Sequence, residues 1–562
     1  GHDIDIADAV QAYIQAKLGT TVKDKEGNII QVTTWVRLPP EYAPESFKKM
    51  NDPVVRLVLA LYGHPDSGGY WERHCEQQIA RCGFVPIPNW KSLYWSARLR
   101  ILLMTYVDDF KMAGPKKELA QAWKDIRKYI TLEDPQPIAR YLGCYHRIKK
   151  ERVNNREVNV MEYDMTDFMK QCVESYITLA GGPDKVKLRK VQTPFTVIPE
   201  RPGSKPHYGN TLTPDELEAL PGEEPGQLSH VAMSVVMKVL YGARQARWDL
   251  LKAVAILATR FTRWSQGCDR ALNRMMSYIN CTPDLVLRGW VGDGPDQLIV
   301  RLFSDADFAG DRPSMRSTTG GYLAMTGPNT WYPLGCKSKR QTATSHSTTE
   351  SEIVAADDVV RTLGIPALDM WEVVLNRKLH IKFHEDNQAC LQVIRTGRNP
   401  TMRHITRTHG VNTAWLHERV RADTIQPAYV ESQHQAADIF TKAFTSVPTF
   451  LRVRSLMQIV SPSSRIQSAV IPARTASGGT GHGAAPLGDL LLQRPSSFDD
   501  NKASDYWLDF PDEPCLVRVH VTPRRRALAL HDFKVQRHIT STRAIQFRAS
   551  DDTWVGYSVL NY

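Results

Sequence analysis

Two adjacent aspartates at the end of an apolar run are the feature that most constrains this chain. The run Ile101–Met104 reads as a buried strand, and Tyr106-Val107-Asp108-Asp109 follows almost at once. Two like charges at the end of a buried strand disfavour each other's ionisation, and burial disfavours both. A divalent cation removes this conflict, because it binds both carboxylates. The tetrapeptide therefore predicts a metal-binding strand end.

A second set of acids lies further along the chain. Leu298–Phe303 reads as a strand, and Asp305 and Asp307 follow it two residues apart, which places both side chains on one face. More acids follow at a helix start, at the end of the strand Leu379–Phe383 and near residue 438. In chain order the acids lie on a strand, a helix, a strand and a helix. The candidates for these four positions are Asp305 or Asp307, Glu350 or Glu352, Asp386, and Asp438.

Two acids compete for the helix position, and helix capping separates them. Ser347 and Glu350 form a capping-box pattern, in which the Glu350 side chain bends back to the first amide of the helix. This leaves Glu352 free to face the strand acids, so Glu352 is the predicted ligand. Two roles remain open for Asp307, that of an outer metal ligand and that of a solvated charge at a strand end.

The sequence around Asp108 resembles the reverse-transcriptase palm of copia-type LTR retrotransposons. Tyr-Val-Asp-Asp is the form that the palm motif takes in that family, and three further landmarks occur in the family's order. These are Asp8 with the aromatic Tyr13 five residues later, Leu61-Tyr62-Gly63 followed by Trp71, and Tyr141-Leu142-Gly143, which is similar to the primer-grip hairpin.

The second set of acids resembles the copia-type ribonuclease H domain. The stretches that carry this resemblance are Ser304–Asp307 with Ala309–Asp311, Arg316–Tyr322, Ser347–Glu350, Asp386–Gln388 and Ala437–Lys442. The resemblance favours Asp305 over Asp307 as the inner ligand. It implies that the catalytic, metal-binding quartet is Asp305, Glu352, Asp386 and Asp438.

The resemblance implies two-metal phosphoryl transfer at both places, with two Mg²⁺ ions in each site and Mn²⁺ as an alternative. In the palm, Asp8 and Asp108 bridge the metals, with Asp109 beside them, while a primer 3′ hydroxyl attacks a deoxynucleoside triphosphate. Tyr13 and Tyr106 are the expected substrate-binding residues. In the second domain, water cuts the RNA strand of an RNA–DNA hybrid.

The first palm acid has alternatives. Asp3 and Asp5 lie close to Asp8, and either takes over the metal if Asp8 is not the ligand. Asp8 is preferred because it has an aromatic residue five positions later. For that aromatic, Tyr13, a place in the hydrophobic core is the competing interpretation.

Charge and cysteine usage indicate the expected partners and compartment. A formal net charge of +11 suits a polyanion, here an RNA template, a DNA primer and the RNA–DNA hybrid. Nine cysteines without a repeating spacing are typical of free thiols in a reducing compartment. No apolar stretch approaches the roughly 20 residues that span a bilayer. We expect an intracellular protein, in a cytoplasmic particle or the nucleus, without a membrane partner.

The predicted architecture is α/β (α+β). We expect a partial reverse-transcriptase palm over 1–148, which by resemblance starts after the fingers strands and is thus truncated at its N-terminus. A helical thumb or connection follows over 149–295, with a linker near 199–227. A ribonuclease H-like mixed-sheet domain covers 296–446, and a low-complexity linker with an uncharacterised tail covers 447–562.

Two departures from the family pattern leave other functions open. The stretch His64–Tyr70 lacks the basic and amide-rich residues that the family carries after Leu-Tyr-Gly, and the basic fingers residues are missing. The alternatives are a degenerate, element-derived protein that only binds nucleic acid, and a protein in which only the ribonuclease H is active.

Overall fold

The computed structural model describes residues 2–23, 29–196, 225–311 and 314–466, together with the backbone of five strands between 504 and 558. The chain forms two compact units, Gly1–Pro472 and Ala473–Tyr562. The predicted linker near 199–227 lies almost entirely outside the described residues, and so does most of the low-complexity stretch after 461. None of the helices in the described ranges has the length and apolarity needed to cross a bilayer.

The N-terminal part of the first unit is built on a six-stranded antiparallel sheet. Its strand order is β10-β1-β9-β8-β7-β6. The strands of this part are β1 (His2–Asp8), β2 (Thr20–Lys23), β3 (Ile29–Val32), β4 (Trp35–Val36), β5 (Val55–Arg56), β6 (Val85–Pro86), β7 (Leu93–Ser96), β8 (Ile101–Tyr106), β9 (Asp109–Pro115) and β10 (Gln136–Pro137).

Two helices cover this sheet, α1 (Ser67–Arg81) and α2 (Lys116–Ile126). Alternate residues of β8 are buried, as expected for a strand with one face on a core. Helix α2 buries residues at helical spacing, including Leu119 and Trp123. These side chains share one hydrophobic cluster, so the β8–β9 hairpin rests on a packed base.

A second, larger sheet occupies the rest of the first unit. Its order is β11-β12-β13-β14-β17-β16-β15-β18-β19, with β20 paired to β14. Only the β15–β18 and β18–β19 pairs are parallel among the described pairs of this sheet. Its strands are β11 (Arg140–Tyr141), β12 (Cys144–Val153), β13 (Arg156–Asp164), β14 (Val286–Val291), β15 (Ile299–Ala306), β16 (Arg316–Gly327), β17 (Thr330–Thr344), β18 (Ile381–Glu385), β19 (Ile425–Tyr429) and β20 (Ile459–Val460).

This sheet runs through two of the predicted domain boundaries. Strand β12 spans the boundary at 148/149, and β14, before the boundary at 295/296, pairs with β17 through Trp290 and Trp331. Strands β12–β14, from the predicted connection region (149–295), thus extend the same sheet as β15–β19. The division into four domains stays a prediction.

The helices of the connection region pack on one face of this sheet. Those in the described parts of this region are α3 (Thr166–Leu179), α4 (Ser229–Gln245), α5 (Leu251–Ala258) and α6 (Gln266–Cys281). Val254 of α5 and Leu272 of α6 share a buried cluster with Tyr322 and Phe440. One core therefore joins the connection helices to strands of the sheet. Trp248–Leu250 form a 3₁₀ turn, and α5 follows it directly and ends at Ala258.

The remaining helices of the first unit follow β17 in the chain. They are α7 (Thr348–Val359), α8 (Ile365–Leu375), α9 (Gln388–Thr396), α10 (Ile405–His409), α11 (Thr413–Arg421) and α12 (Val447–Leu456). Ile353 of α7 and Ile394 of α9 pack with Leu302 and Phe383 in a second cluster on the opposite face of the sheet. The architecture is thus mixed α/β, as predicted.

The second unit contains two small antiparallel sheets among its described strands. Strand β21 (Ser504–Leu508) pairs with β22 (Val517–Val521), and β24 (Ala544–Arg548) pairs with β23 (His538–Ile539) and β25 (Trp554–Ser558).

Candidate metal centres

The first centre lies at the turn between β8 and β9. Tyr106 pairs with Asp109 across this two-residue turn, and Val107 adopts a left-handed conformation with φ of 58°. A β-branched residue in this conformation costs about 1–3 kcal/mol, so surrounding contacts must hold it. One such contact comes from α1, where Trp71 Nε1 donates to the Val107 carbonyl at 2.6 Å. The landmark tryptophan therefore fixes the turn that carries Asp108 and Asp109.

Strand β1 brings the third acid to this turn. Asp8 is the last residue of β1 and lies opposite Asp109 in the antiparallel ladder. The Ala9 amide donates to the Asp108 carbonyl at 2.7 Å, which holds the two strand ends together. Burial, with Asp8 and Asp108 nearby, raises the pKa of Asp109 to about 6. We name Asp8, Asp108 and Asp109 the hairpin centre.

The alternative acids of β1 lie further from the turn. Asp3 is opposite Gly114 and pairs with Lys116 at 3.2 Å, and Asp5 is opposite Met112. Of the three aspartates weighed from the sequence, Asp8 is thus the one beside Asp109.

The two predicted substrate-binding tyrosines differ in their surroundings. Tyr13 is half-buried, and its ring centroid lies 4.5 Å from that of Tyr62, at the margin of the core under the sheet. Tyr106 is 59% exposed beside the turn. Tyr13 therefore combines core packing with a surface position, and Tyr106 is open to a ligand.

The predicted primer-grip segment also forms a tight hairpin. Leu142 and Gly143 connect β11 and β12, and both have positive φ, as two-residue hairpin turns require. Tyr241 of α4 donates its hydroxyl to the Leu142 carbonyl at 2.7 Å.

The second centre lies at one edge of the larger sheet. Asp305 belongs to the end of β15, and Asp386 directly follows β18. These two strands are parallel, so their carboxyl ends meet at the same edge. Glu352 reaches this edge from α7, and one carboxylate oxygen of each of the three acids lies within 4.8 Å of the others. We name Asp305, Glu352 and Asp386, with the neighbouring Asp438, the sheet-edge centre.

Burial makes ionisation of the acids at the sheet-edge centre unfavourable unless a cation is bound. Asp305 and Glu352 are almost fully buried. Burial and the neighbouring acids Glu385 and Asp305 raise the pKa of Glu352 well above its usual value, and burial and Asp305 raise the pKa of Asp386. Within the described ranges, the Glu352 Oε2 atom is buried without a hydrogen-bond donor. Oxygen ligands that converge in this way fit a hard divalent cation such as Mg²⁺.

The fourth predicted acid joins this group through a lysine. Asp438 lies in the 3₁₀ turn Ala436–Phe440, outside the group of three converging oxygens. Lys442 Nζ lies 2.7 Å from Asp438 Oδ1 and 3.3 Å from Asp305 Oδ1. Burial and Asp305 nevertheless raise the pKa of Asp438 to about 8. The Thr441 hydroxyl donates to Asp305.

The helix acid that the capping argument set aside has a different set of partners. Ser347 Oγ accepts from the Glu350 amide at 3.1 Å, and Glu350 Oε2 accepts from the His346 amide at 3.0 Å, one residue before the expected amide. Glu350 Oε1 accepts from His404 Nε2 at 3.2 Å and His409 Nε2 at 3.0 Å. Burial opposes ionisation of Glu350, but these donors outweigh it and lower its pKa. Glu350 therefore faces histidines, and Glu352 faces the strand acids.

Sequence reasoning assigned no role to three residues at this edge. Lys442 and Thr441 lie in the quoted Ala437–Lys442 stretch, and Lys442 follows Asp438 by four residues, a spacing that suits an ion pair. Glu385 is buried beside Asp386, and its Oε2 atom also lacks a donor within the described ranges. The acidic doublet 385–386, like the doublet at 108–109, was the available signal for Glu385.

Comparison with known proteins gives distant relatives. No protein-family model matches this chain. The chain is 24% identical over 427 residues to the Transposon Ty1-DR1 Gag-Pol polyprotein of Saccharomyces cerevisiae. This match covers 74% of this chain and 22% of the relative. It is also 24% identical over 424 residues to the Truncated transposon Ty1-A Gag-Pol polyprotein, again over 74% of this chain and over 32% of the relative. The chain thus spans less than a third of the length of these curated relatives.

These relatives and the sequence motifs point to the same group of elements. The matched span takes in about three quarters of the chain, and Ty1 is a copia-type retrotransposon. The predicted resemblance is therefore confirmed, and this chain is a relative of the copia-type retrotransposon Pol polyproteins.

Proposed function

We propose that this chain is the reverse transcriptase and ribonuclease H region of a copia-type retrotransposon polyprotein, with one phosphoryl-transfer centre for each activity. The observation that carries the proposal is the convergence of Asp305, Glu352 and Asp386 oxygens within 4.8 Å at the carboxyl edge of a parallel strand pair. These three carboxylates, of which Asp305 and Glu352 are buried, repel one another when ionised, and a bound cation relieves that repulsion.

At the sheet-edge centre, the proposed reaction is cleavage of the RNA strand of an RNA–DNA hybrid by water. Asp305, Glu352 and Asp386 would hold magnesium, which supplies Lewis-acid stabilisation for the phosphoryl group. Thr441 orients Asp305 by donating its hydroxyl. Lys442 places a positive charge between Asp305 and Asp438, which reduces their repulsion.

The proposed substrates are nucleic acids. A formal net charge of +11 favours binding to phosphates through counterion release. Hybrid selection would depend on backbone shape and the 2′ hydroxyl, because side chains read the grooves of A-form helices poorly.

At the hairpin centre, the proposed reaction is addition of deoxynucleotides to a primer 3′ hydroxyl on an RNA template. Asp8, Asp108 and Asp109 would hold magnesium, which would supply Lewis-acid stabilisation there. The pairing of Asp8 with Asp109 across β1 and β9 and the exposed Tyr106 support this assignment. Tyr13 would contact the sugar of the incoming nucleotide.

A second candidate is a protein in which only the sheet-edge centre acts. Within the described ranges, the acids whose oxygens converge to 4.8 Å are Asp305, Glu352 and Asp386 of the sheet-edge centre, and not the acids of the hairpin centre. Primer extension by a protein that cleaves hybrids separates the two candidates.

The test is cleavage of end-labelled RNA in an RNA–DNA hybrid by the purified chain, with Mg²⁺ or with chelator. We expect Mg²⁺-dependent cleavage that Asp386→Asn abolishes while hybrid binding persists. Asp423→Asn is the matched control, because Asp423 lies in a left-handed turn that asparagine tolerates and contacts only Gln426 through its side chain in the described hydrogen bonds. Full cleavage by Asp386→Asn would contradict the role given to Asp386. Absence of cleavage by folded wild type would contradict the proposal and favour a protein that only binds nucleic acid.

A further inference from the structure

The segment that follows Asp305 is held by cations from outside the predicted ribonuclease H region. Lys252 Nζ of α5 lies 3.0 Å from Asp307 Oδ2 and 3.0 Å from Thr318 Oγ1. The Thr318 amide donates to the other oxygen of Asp307. The side chains of Lys252 and Asp307 are only 9% and 14% exposed. This is a buried ion pair, and breaking such a pair leaves an uncompensated charge.

The far end of the same segment is held in a similar way. Arg260, just beyond the end of α5, places Nη2 3.4 Å from Asp311 Oδ1, and Arg340 of β17 places Nη1 2.7 Å from Asp311 Oδ2. The Asp311 amide donates to the Arg316 carbonyl at 3.0 Å. Residues 307–311 are therefore fixed at both ends, at one by Lys252 of α5 and at the other by Arg260, which follows α5, together with Arg340.

These contacts act on Asp305 through the strand ladder. In the β15–β16 pair, Asp305 lies opposite Gly320 and Ala306 lies opposite Thr319, so Thr318 and Asp307 come next on the two strands. Lys252 contacts both of these residues and thus links the two strands immediately beyond Asp305. The chain is also tightly folded here, since a Cβ on Gly310 would lie 2.0 Å from an Asp307 oxygen. A rotation of this segment would carry the Asp305 carboxylate with it.

Lys252 also removes a competing ligand. Asp307 is two residues from Asp305, and as a free carboxylate it would attract the same cation. In the structure, both of its oxygens are occupied, one by Lys252 and the other by the Thr318 amide. This decides the question that the sequence left open, because Asp307 is neither a solvated charge nor directed at the converging oxygens.

We propose that Lys252 and Arg260 are positioning residues of the sheet-edge centre, so that the connection region completes a metal site whose acids all lie in 296–446. They hold residues 307–311 and thereby set the orientation in which Asp305 binds a divalent cation. The inference rests on the proposed function for its consequence in catalysis, but its effect on cation binding is independent of which reaction occurs.

The test is Mn²⁺ binding by the full chain, measured by electron paramagnetic resonance of free Mn²⁺. All proteins carry Asp108→Asn and Asp109→Asn, so that the hairpin centre contributes little, and Asp305→Asn defines the signal without the sheet-edge centre. We expect Lys252→Met to weaken Mn²⁺ binding by about 10–100-fold, as loss of groups that orient metal ligands does. Lys252→Arg should retain most of the affinity, because it keeps the charge.

A matched control separates positioning from general loss of a lysine. Lys238 lies on α4 and donates to the Gln171 carbonyl, away from residues 307–311, so Lys238→Met should bind Mn²⁺ like the parent. In proteins with an intact hairpin centre, Lys252→Met should lower kcat for hybrid cleavage about 10–100-fold with KM within about twofold. Equal Mn²⁺ affinities for Lys252→Met and Lys238→Met would overturn the inference.

A double variant guards against an unfolded Lys252→Met protein. Lys252→Met with Asp307→Asn leaves no unpaired buried charge, so it should fold. If it binds Mn²⁺ as weakly as expected for loss of positioning, the inference holds; if it binds like the parent, Lys252 only neutralises Asp307 and the inference is wrong. Absence of hybrid cleavage by wild type, with the Mn²⁺ difference intact, would refute the proposed function alone.

Discussion

The hairpin centre and the sheet-edge centre collect similar acids by different means. At the hairpin centre, Asp108 and Asp109 lie in one turn, and Asp8 joins them from the adjacent strand. At the sheet-edge centre, two strands and a helix from distant parts of the chain each supply one acid. Asp108 and Asp109 are neighbours in sequence, whereas Asp8 comes from the separate strand β1. Asp8 and Asp108 are exposed, and Asp109 is partly exposed. The sheet-edge acids are brought together by packing, and burial raises the pKa of Glu352 and Asp386.

The two centres also differ in the protein groups that hold them in place. Lys442 contacts two acids at the sheet-edge centre, and Lys252 and Arg260 hold the segment beside it. At the hairpin centre, Trp71 and Ala9 donate to the backbone of the turn, and the Asp8 and Asp109 side chains share a hydrogen bond. The buried centre therefore depends on side-chain charges, whereas the exposed one depends on backbone geometry.

The largest expected effect is loss of hybrid cleavage in Asp305→Asn. Metal-assisted stabilisation is worth several kcal/mol, so we expect kcat to fall by about 10³-fold or more. Asp108→Asn should leave hybrid cleavage within about twofold, since additivity holds between distant sites. Single-turnover cleavage of labelled hybrid measures both. Equal losses in the two variants would break the comparison, because the centres would then not be independent.

The next effect concerns the lysine between two acids. Lys442→Met leaves the buried Asp305 and Asp438 without their shared cation, so we expect the free energy of unfolding in chelator to fall by about 1–3 kcal/mol. Added Mg²⁺ should then raise the melting temperature more in this variant than in wild type, because cation binding relieves the same repulsion. Lys442→Arg is the charge-retaining control. A variant as stable as wild type in chelator would argue against this role for Lys442.

A smaller effect contrasts single acids from the two centres. Glu352→Gln removes a buried carboxyl whose pKa is raised well above its usual value, so its ionisation opposes folding at neutral pH, and stability in chelator should rise by about 0.5–2 kcal/mol although cleavage is lost. Asp108→Asn, at a turn near solvent, should change stability by no more than about 0.5 kcal/mol. Urea unfolding in chelator measures both changes. Destabilisation by Glu352→Gln would show that its ionised form is paired in the free protein.

A pH-dependent effect is expected from His146, which belongs to neither centre. His146 of β12 is buried, and burial, with Lys111 nearby, lowers its pKa from 6.5 to about 3. Because the folded-state pKa is lower than the unfolded one, the unfolded chain takes up the proton first. The contribution of His146 is thus complete above pH 6.5 and is lost progressively as pH falls toward 3. His146→Gln should flatten the pH dependence of the urea midpoint between pH 7 and 5, and an unchanged slope would refute this.

Much of the candidate chemistry could be predicted from local patterns. The apolar run before Asp108 predicts a strand that ends at the acids, and β8 and the turn at 107–108 match it. The Ser347–Glu350 capping pattern places the start of α7, and with it the choice of Glu352 over Glu350 as the acid that faces Asp305. Such patterns are readable because hydrogen bonds and capping within a few residues follow from local sequence.

Other features depend on residues that are far apart in the chain. No local pattern predicts that β12–β14 join the sheet of β15–β19, because this pairing accompanies the packing of the connection helices on that sheet. Likewise, the contact of Glu350 with His404 and His409 joins α7 to the region of α10. Nothing in hydrophobic periodicity predicts which distant polar groups will meet.

By itself, then, the sequence determined the acids, the strand ends that carry them and the family to which they point. The tertiary structure alone decided how the charges are balanced: Lys442 between Asp305 and Asp438, and Lys252 on Asp307. The physical reason is that a strand end or a helix cap is fixed by interactions between near neighbours in sequence. A buried charge instead takes its partner from whichever element the hydrophobic core packs against it.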